Sequence, residues 1–267
     1  MVIALQFLNS NFKLLKSKFP AQDFEVFYLS GKQALNGQNP YLEVGKDIVR
    51  NPPPVIPAFM LLGLFPILIS QIVWFNLSFL IFLIGSYFLF KILENEDKFK
   101  ISLANNWKIW LLYLSLVLRF FPFRYNLGSG QVNNFLFLFL VLSFYFVKQS
   151  KYFFSGLSLA LGIFLKITPI LLLYPLVIMK ENKLLKWVVF NLVIIILLTL
   201  PLIGFKTYQN YLAILNSFFN FGLSVYINQS IIGFLARISS VYQLNQFIYI
   251  HFNSRFSYTF HIYTEKT

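Results

Sequence analysis

The sequence predicts an all-α, polytopic transmembrane protein, and three observations carry that reading. Of the 267 residues, 58% are hydrophobic and 12% charged, with mean hydropathy +0.68 and 34 phenylalanines, a composition more apolar than a soluble core requires. The net charge of +13, from 22 Lys+Arg against 9 Asp+Glu, is spread in short basic groups between apolar runs, where cations set topology and meet anionic headgroups; this argues against nucleic acid as a partner. The chain has no cysteine and two histidines, His251 and His261, which excludes disulfides and thiolate chemistry and leaves no basis for a His-based metal site or triad. No metal and no cofactor are expected.

Taken in order, residues 1–8 form an apolar scrap far below the ~20 residues that span hydrocarbon. Residues 9–20 interleave Phe12, Leu14, Leu15 and Phe19 with Lys13, Lys16 and Lys18, so 1–20 reads as a short amphipathic segment lying on a surface or as plain loop. Residues 21–57 read as an external loop. Within it 24–35 has a helical period, and Asn36-Gly37 and Asn39-Pro40 end the helix. The run DIVRNPPPVIP, 47–57, is expected to be a rigid non-helical connector, because consecutive prolines remove donors and fix the backbone extended.

Residues 58–205 are the transmembrane domain. Residues 58–93 are too long for one span and short for two, with Pro66 and Ser70-Gln71 at the weak point; 58–69 is read as a re-entrant or interfacial helix and 72–93 as the span. Further helices are expected at 106–121, 132–147, 152–165, 170–179 (started by Pro169) and 187–203, about six spans in all. Basic turns at Lys98, Lys100 and Lys108, at Lys148 and Lys151, and at Lys180, Lys183 and Lys186 share one side if they obey the positive-inside rule. Residues 206–240 then form an external loop and the start of a further helix, and 241–267 a polar-aromatic tail.

That topology gathers the unusual polar residues on the other side: Asp23 and Glu25, Arg119 and Arg124, Gln131 and Asn133, Lys166, Asn228 and Gln229, and Arg237. Asp23 and Glu25 stand beside an aromatic run at the edge of a membrane domain, where a carboxylate suits a base or a ligand contact. Lys166 is an isolated cation between apolar stretches and needs either an anion or a route to the interface by snorkelling; Arg119 and Arg124 face the same choice. The Gly128-Ser129-Gly130 turn with Gln131 and Asn133 offers a close backbone approach and amide donors suited to sugar hydroxyls, or simply a helix start.

The succession DFEVFYLSGKQALNGQNPY, NPPPVIPAFM, QIVWFNL, GSGQVN, GLSLALGIFLKITPILLLYPL and NQSIIGFLAR resembles, in order and spacing from about residue 21 to 237, the integral-membrane glycosyltransferases of family 87. These belong to the GT-C class, typified by polyprenol-phosphate-mannose-dependent α-mannosyltransferases. The resemblance implies a hexosyltransferase in the cell membrane that moves a hexose, such as mannose, with inversion. The donor it implies is a polyprenyl-phosphate sugar and the acceptor a lipid-linked or cell-envelope glycan. It implies Asp23 as catalytic base, and places Gln131, Lys166 and Asn228-Gln229-Ser230 on recurrent family positions. The chain is expected to be truncated relative to the family, lacking a helix before Asp23 and several after residue 240.

The chemistry fits those residue types. A sugar hydroxyl needs a carboxylate to accept its proton as the new bond forms, while a phosphate leaving group needs cations rather than an acid, which Lys166, Arg119 or Arg124 can supply. Gln131, Asn133, Asn228 and Gln229 are the expected sugar or acceptor contacts, with Glu25 and Arg237 secondary. One essential carboxylate is then expected, unlike the pair of a glycosidase. The rival readings are a membrane carrier for an anionic lipid or sugar, and a non-catalytic membrane scaffold.

Overall fold

The computed structural model describes residues 21–42, 48–94 and 105–220, with the backbone alone for 216–220, and residues 231, 234, 235 and 238 beyond them. The chain divides into two units, Met1–Ala213 and Ile214–Thr267. Among the described residues there are ten helices and no strand, the all-α architecture that the composition requires.

Helix α1, Gln22–Leu35, carries Asp23 and Glu25 in its first turn and Lys32 in its last, each charge favoured by the end of the helix dipole it occupies. It begins two residues before the expected start and stops at Gly37, whose φ of 69° a side chain would resist. Phe24, Phe27 and Tyr28 are buried. Opposite them α2, Ile56–Gly63, presents Phe59, stacked on Phe27 at 4.7 Å. A Cβ on Gly31 would fall 2.0 Å from the Phe59 carbonyl oxygen, so only glycine lets the two backbones approach this closely.

The proline-rich connector departs from expectation in its second half. Pro53–Val55 is a 3-10 turn and α2 begins at Ile56 with Pro57 in its first turn, because proline at a helix start removes only an N–H that has no intrahelical partner. Helix α3, Ile67–Glu94, is 28 residues long, about 42 Å at 1.5 Å per residue. The break before it falls at residues 64–66, not at Ser70-Gln71, which are buried inside α3. Pro66 cannot bond to the Leu62 carbonyl; the Ser70 hydroxyl donates to it instead at 2.7 Å, and Tyr28 donates to the Phe65 carbonyl at 2.9 Å.

Helix α4, Trp107–Arg119, is capped by the Asn106 side chain, which accepts from the Lys108 and Ile109 amides at 3.1 and 3.4 Å. Helix α5, Phe121–Ser129, ends on left-handed Gly130 and is bent 113° from α6, Asn133–Lys148. Helix α7, Tyr152–Leu165, is followed by a 3-10 segment, Thr168–Leu172, and by α8, Leu173–Ile178; α9 is Asn182–Ile203 and α10 Phe205–Asn220.

Helices α3, α6, α7 and α9 pack side by side in that order, while α1 and α2 pair across one end of the row. Small residues and hydroxyls make the joints. Gly85 on α3 lies against Phe137, Gly156 on α7 lies against the Trp187–Val188 backbone, and Ser143 and Ser155 share a hydrogen bond of 3.1 Å. Close backbone approach and interhelical hydrogen bonds replace the hydrophobic drive, which is absent between helices in lipid. On α9, Val189, Phe190, Val193, Leu197 and Leu198 are exposed, a surface suited to lipid.

Two of the described helices, Ile67–Glu94 and Asn182–Ile203, are long and apolar enough to cross a membrane, or three spans form if the bent α5–α6 pair counts as one. This is fewer than the expected six. The remaining apolar helices are too short: α4 with 13 residues and α7 with 14 reach about 20 Å, less than the ~30 Å of a hydrocarbon core.

Candidate active site

One end of the row brings together the start of α1, the proline-rich connector, the α5–α6 turn and the end of α7. Asp23 lies half-buried in the first turn of α1, beside Phe24, which is completely buried. Gly130 holds the α5–α6 turn against that point. Its φ is 77°, and a Cβ there would come within 2.6 Å of the Phe24 Cβ and 3.3 Å of the Phe24 backbone nitrogen. The close approach expected of the glycine turn is thus made to the protein's own α1. The Gly130 carbonyl accepts from the Trp74 indole at 2.8 Å, and Trp74 stacks on Phe135 at 4.7 Å, which ties α3 and α6 to the same turn.

Lys166 follows the last residue of α7 with φ −152° and ψ 131°, so the chain leaves the helix extended. Its ammonium donates to the Asn133 side-chain oxygen at 2.9 Å, across the start of α6. Asp23 is near enough for its negative charge to act on that ammonium, although among the described residues no direct ion pair joins them. Lys166 is half-buried and held by a neutral amide. It therefore has a protein partner and is not reaching for the interface alone.

Next to Asn133, Asn134 is buried and donates to Ser78 at 3.0 Å while accepting from Asn126 at 2.9 Å. These bonds join α3, α5 and α6 by side chains that would be costly to leave unpaired in an apolar setting.

Two residues not predicted from sequence complete the arrangement. Asn51, 8% exposed, donates its side-chain amide to the Leu165 carbonyl at 2.5 Å, and its own carbonyl accepts from the Tyr41 hydroxyl at 3.0 Å. Tyr41, 2% exposed, lies beside Tyr211 with ring centroids 5.3 Å apart. Burial, reinforced by the neighbouring Tyr211 and Tyr208, pushes the Tyr41 phenol far above the ordinary tyrosine range, so it stays a protonated donor. The only local signal for Asn51 was a polar residue ahead of three prolines; its partner lies 114 residues away in sequence.

The other predicted residues are distributed differently. Glu25 is half-buried on α1; Gln131 is half-buried, and its backbone amide donates to the Asn126 carbonyl at 3.1 Å. Arg119 and Arg124 are exposed at the end of α4 and on α5, and neither shares in the Asp23–Lys166–Asn133 arrangement. Asn228, Gln229 and Arg237 lie outside the described residues. No cluster of His, Cys, Asp or Glu able to hold a metal occurs among the described residues.

A carboxylate and an ammonium that are not ion-paired, among polar side chains at one end of an apolar bundle, can accept a proton and steady an anion respectively. Residues 50–253 match the model of glycosyltransferase family 87, a stretch that begins after α1 and so includes Lys166 and Asn133 but not Asp23. No curated protein and no solved structure matches the chain. With a family match over more than half of its length, laid on a helical membrane architecture, the chain belongs to glycosyltransferase family 87.

Proposed function

We propose that this membrane glycosyltransferase transfers a hexose, mannose above all, from a polyprenyl-phosphate donor to a lipid-linked or cell-envelope glycan at the plasma membrane, with inversion. The observation that carries this reading is the Lys166 ammonium on the Asn133 oxygen at 2.9 Å, at the end of the bundle where the Gly130 turn packs on Phe24, the neighbour of Asp23. In the reaction, the acceptor hydroxyl attacks the anomeric carbon as Asp23 takes its proton. The bond from that carbon to the phosphate oxygen breaks, and the departing polyprenyl phosphate keeps the electron pair, its charge steadied by Lys166. Attack opposite the leaving phosphate inverts the anomeric carbon. Arg119 and Arg124, exposed, serve as accessory cations for the lipid phosphate. Gln131, Asn228 and Gln229 are the sugar or acceptor contacts in this reading, while Glu25 and Arg237 are secondary.

Asp23, not Glu25, is the base in this reading, because two positions apart on a helix they point in different directions and only one can share a pocket with Lys166. The test is transfer of labelled sugar from polyprenyl phosphate by membranes containing each variant. Asp23→Asn keeps the size of the side chain but cannot take the proton, so transfer should fall roughly 10²–10⁴-fold, with little effect of Glu25→Gln. Near-normal transfer by Asp23→Asn would remove it from the mechanism and favour a carrier.

A further inference from the structure

The least expected feature of the site is what Lys166 does not do. An ammonium taken out of water beside a carboxylate gains from closing on it as a direct ion pair, more so where the dielectric is low. Here the closest partner is instead the neutral oxygen of Asn133, at 2.9 Å. An ammonium carries three donors, and an amide oxygen occupies one without cancelling the charge.

The peptide unit that enters the lysine is fixed on both of its polar atoms. Its backbone amide donates to the Gly162 carbonyl at 3.0 Å, and the preceding carbonyl, of Leu165, is held by Asn51. Asn133 is fixed as well, because Asn134 beside it is bonded to Ser78 and Asn126, and the turn before it is pressed by Gly130 against Phe24, the neighbour of Asp23. Packing therefore fixes the backbones from which the carboxylate and the ammonium extend, and the Asn133 bond decides where the ammonium at the end of its flexible stem rests.

We infer that Asn133 is a positioning residue that holds the Lys166 ammonium off Asp23, so that the carboxylate stays free to take a proton and the ammonium stays open to a phosphate. The inference rests on the roles proposed for Asp23 and Lys166 and revises that of Asn133 from a sugar or acceptor contact to an internal one. A hydrogen bond to a charged group is about twice as strong as one between neutral groups, enough to decide between two positions of one side chain.

The test is the dependence of transfer rate on polyprenyl-phosphate donor concentration in membranes containing Asn133→Ala, Asn133→Asp, Lys166→Ala and the two double variants. Asn133→Ala releases the ammonium to close on Asp23, and kcat should fall about tenfold or more. Asn133→Asp sets a carboxylate against the ammonium in competition with the phosphate, and donor KM should rise about tenfold or more. That variant keeps the start of α6, since a carboxylate is favoured in a first helical turn, and it decides the matter alone if Asn133→Ala does not accumulate. Once Lys166 is alanine, neither change at Asn133 should cost anything further. Effects at Asn133 that add to those of Lys166→Ala, or equal shifts for Ala and Asp, overturn the inference while leaving Lys166 as the phosphate contact. An unchanged donor KM in Lys166→Ala overturns both.

Discussion

The Asn51 side-chain amide donates to the carbonyl of Leu165, the residue immediately before Lys166, so the proline-rich connector grips the chain at the point where α7 ends. The bond satisfies one of the carbonyls that every helix end leaves without an intrahelical partner, and the prolines that follow Asn51 stiffen its support. The residue that holds the peptide unit entering the lysine thus comes from a segment 114 positions away from its partner in sequence.

Removing that grip should be costly. Asn51→Ala leaves the buried Leu165 carbonyl unsatisfied and should destabilise the fold by about 1–3 kcal/mol. Thermal melting in detergent reads the loss, and a melting temperature equal to the parent's would show that the connector does not hold the end of α7.

Gly130→Ala is expected to be worse than an ordinary glycine substitution. The new methyl meets Phe24 at 2.6 Å, and the residue must keep φ 77°, a conformation that costs roughly 1–2 kcal/mol without counting the clash. Both the melting temperature and transfer should fall. Gly128→Ala, with no atom within 4 Å of the added carbon, is the control and should melt within a degree or two of the parent.

The polar chain from Ser78 through Asn134 to Asn126 should behave as a unit. Asn134→Leu strands the Ser78 hydroxyl and the Asn126 amide in an apolar setting, and a loss of about 1–3 kcal/mol is expected. Combining it with Ser78→Ala should cost less than the sum of the two single changes; strict additivity in a double-mutant cycle would show that the bond between them contributes nothing.

The two ends of the bundle should face opposite sides of the membrane. The Asn36–Asn39 turn follows α1, whose last residues pack on Gly63 near the start of α3, whereas Lys148 ends α6 and Lys183 lies in the first turn of α9, 5.9 Å from the Tyr152 ring. The chain has no cysteine, so Gln38→Cys, Lys148→Cys and Lys183→Cys can each be labelled with an impermeant thiol reagent. Gln38→Cys should react from one face only and the lysine replacements from the other; equal labelling of Gln38→Cys and Lys148→Cys from one face would refute the topology.

The sequence by itself determined the class of molecule and most of its helices. Period and breakers act within a few residues, so Asn36-Gly37, Asn106 and Pro169 mark their boundaries locally. It also isolated Lys166, because a cation between apolar runs is conspicuous without coordinates. Span number was less legible, since hydropathy reports that a run prefers lipid but not where a helix breaks: α4 and α7 are apolar yet short, and α5 turns 113° into α6. Only the tertiary structure decided what Lys166 touches. Its grip depends on Asn51 and Asn133, 115 and 33 positions away, and a hydrogen bond between distant segments leaves no periodic trace in either one. The same holds for Gly130, whose turn reads alike whether the close neighbour is a sugar or, as here, Phe24; backbone approach is set by how helices pack, which no single stretch of sequence encodes.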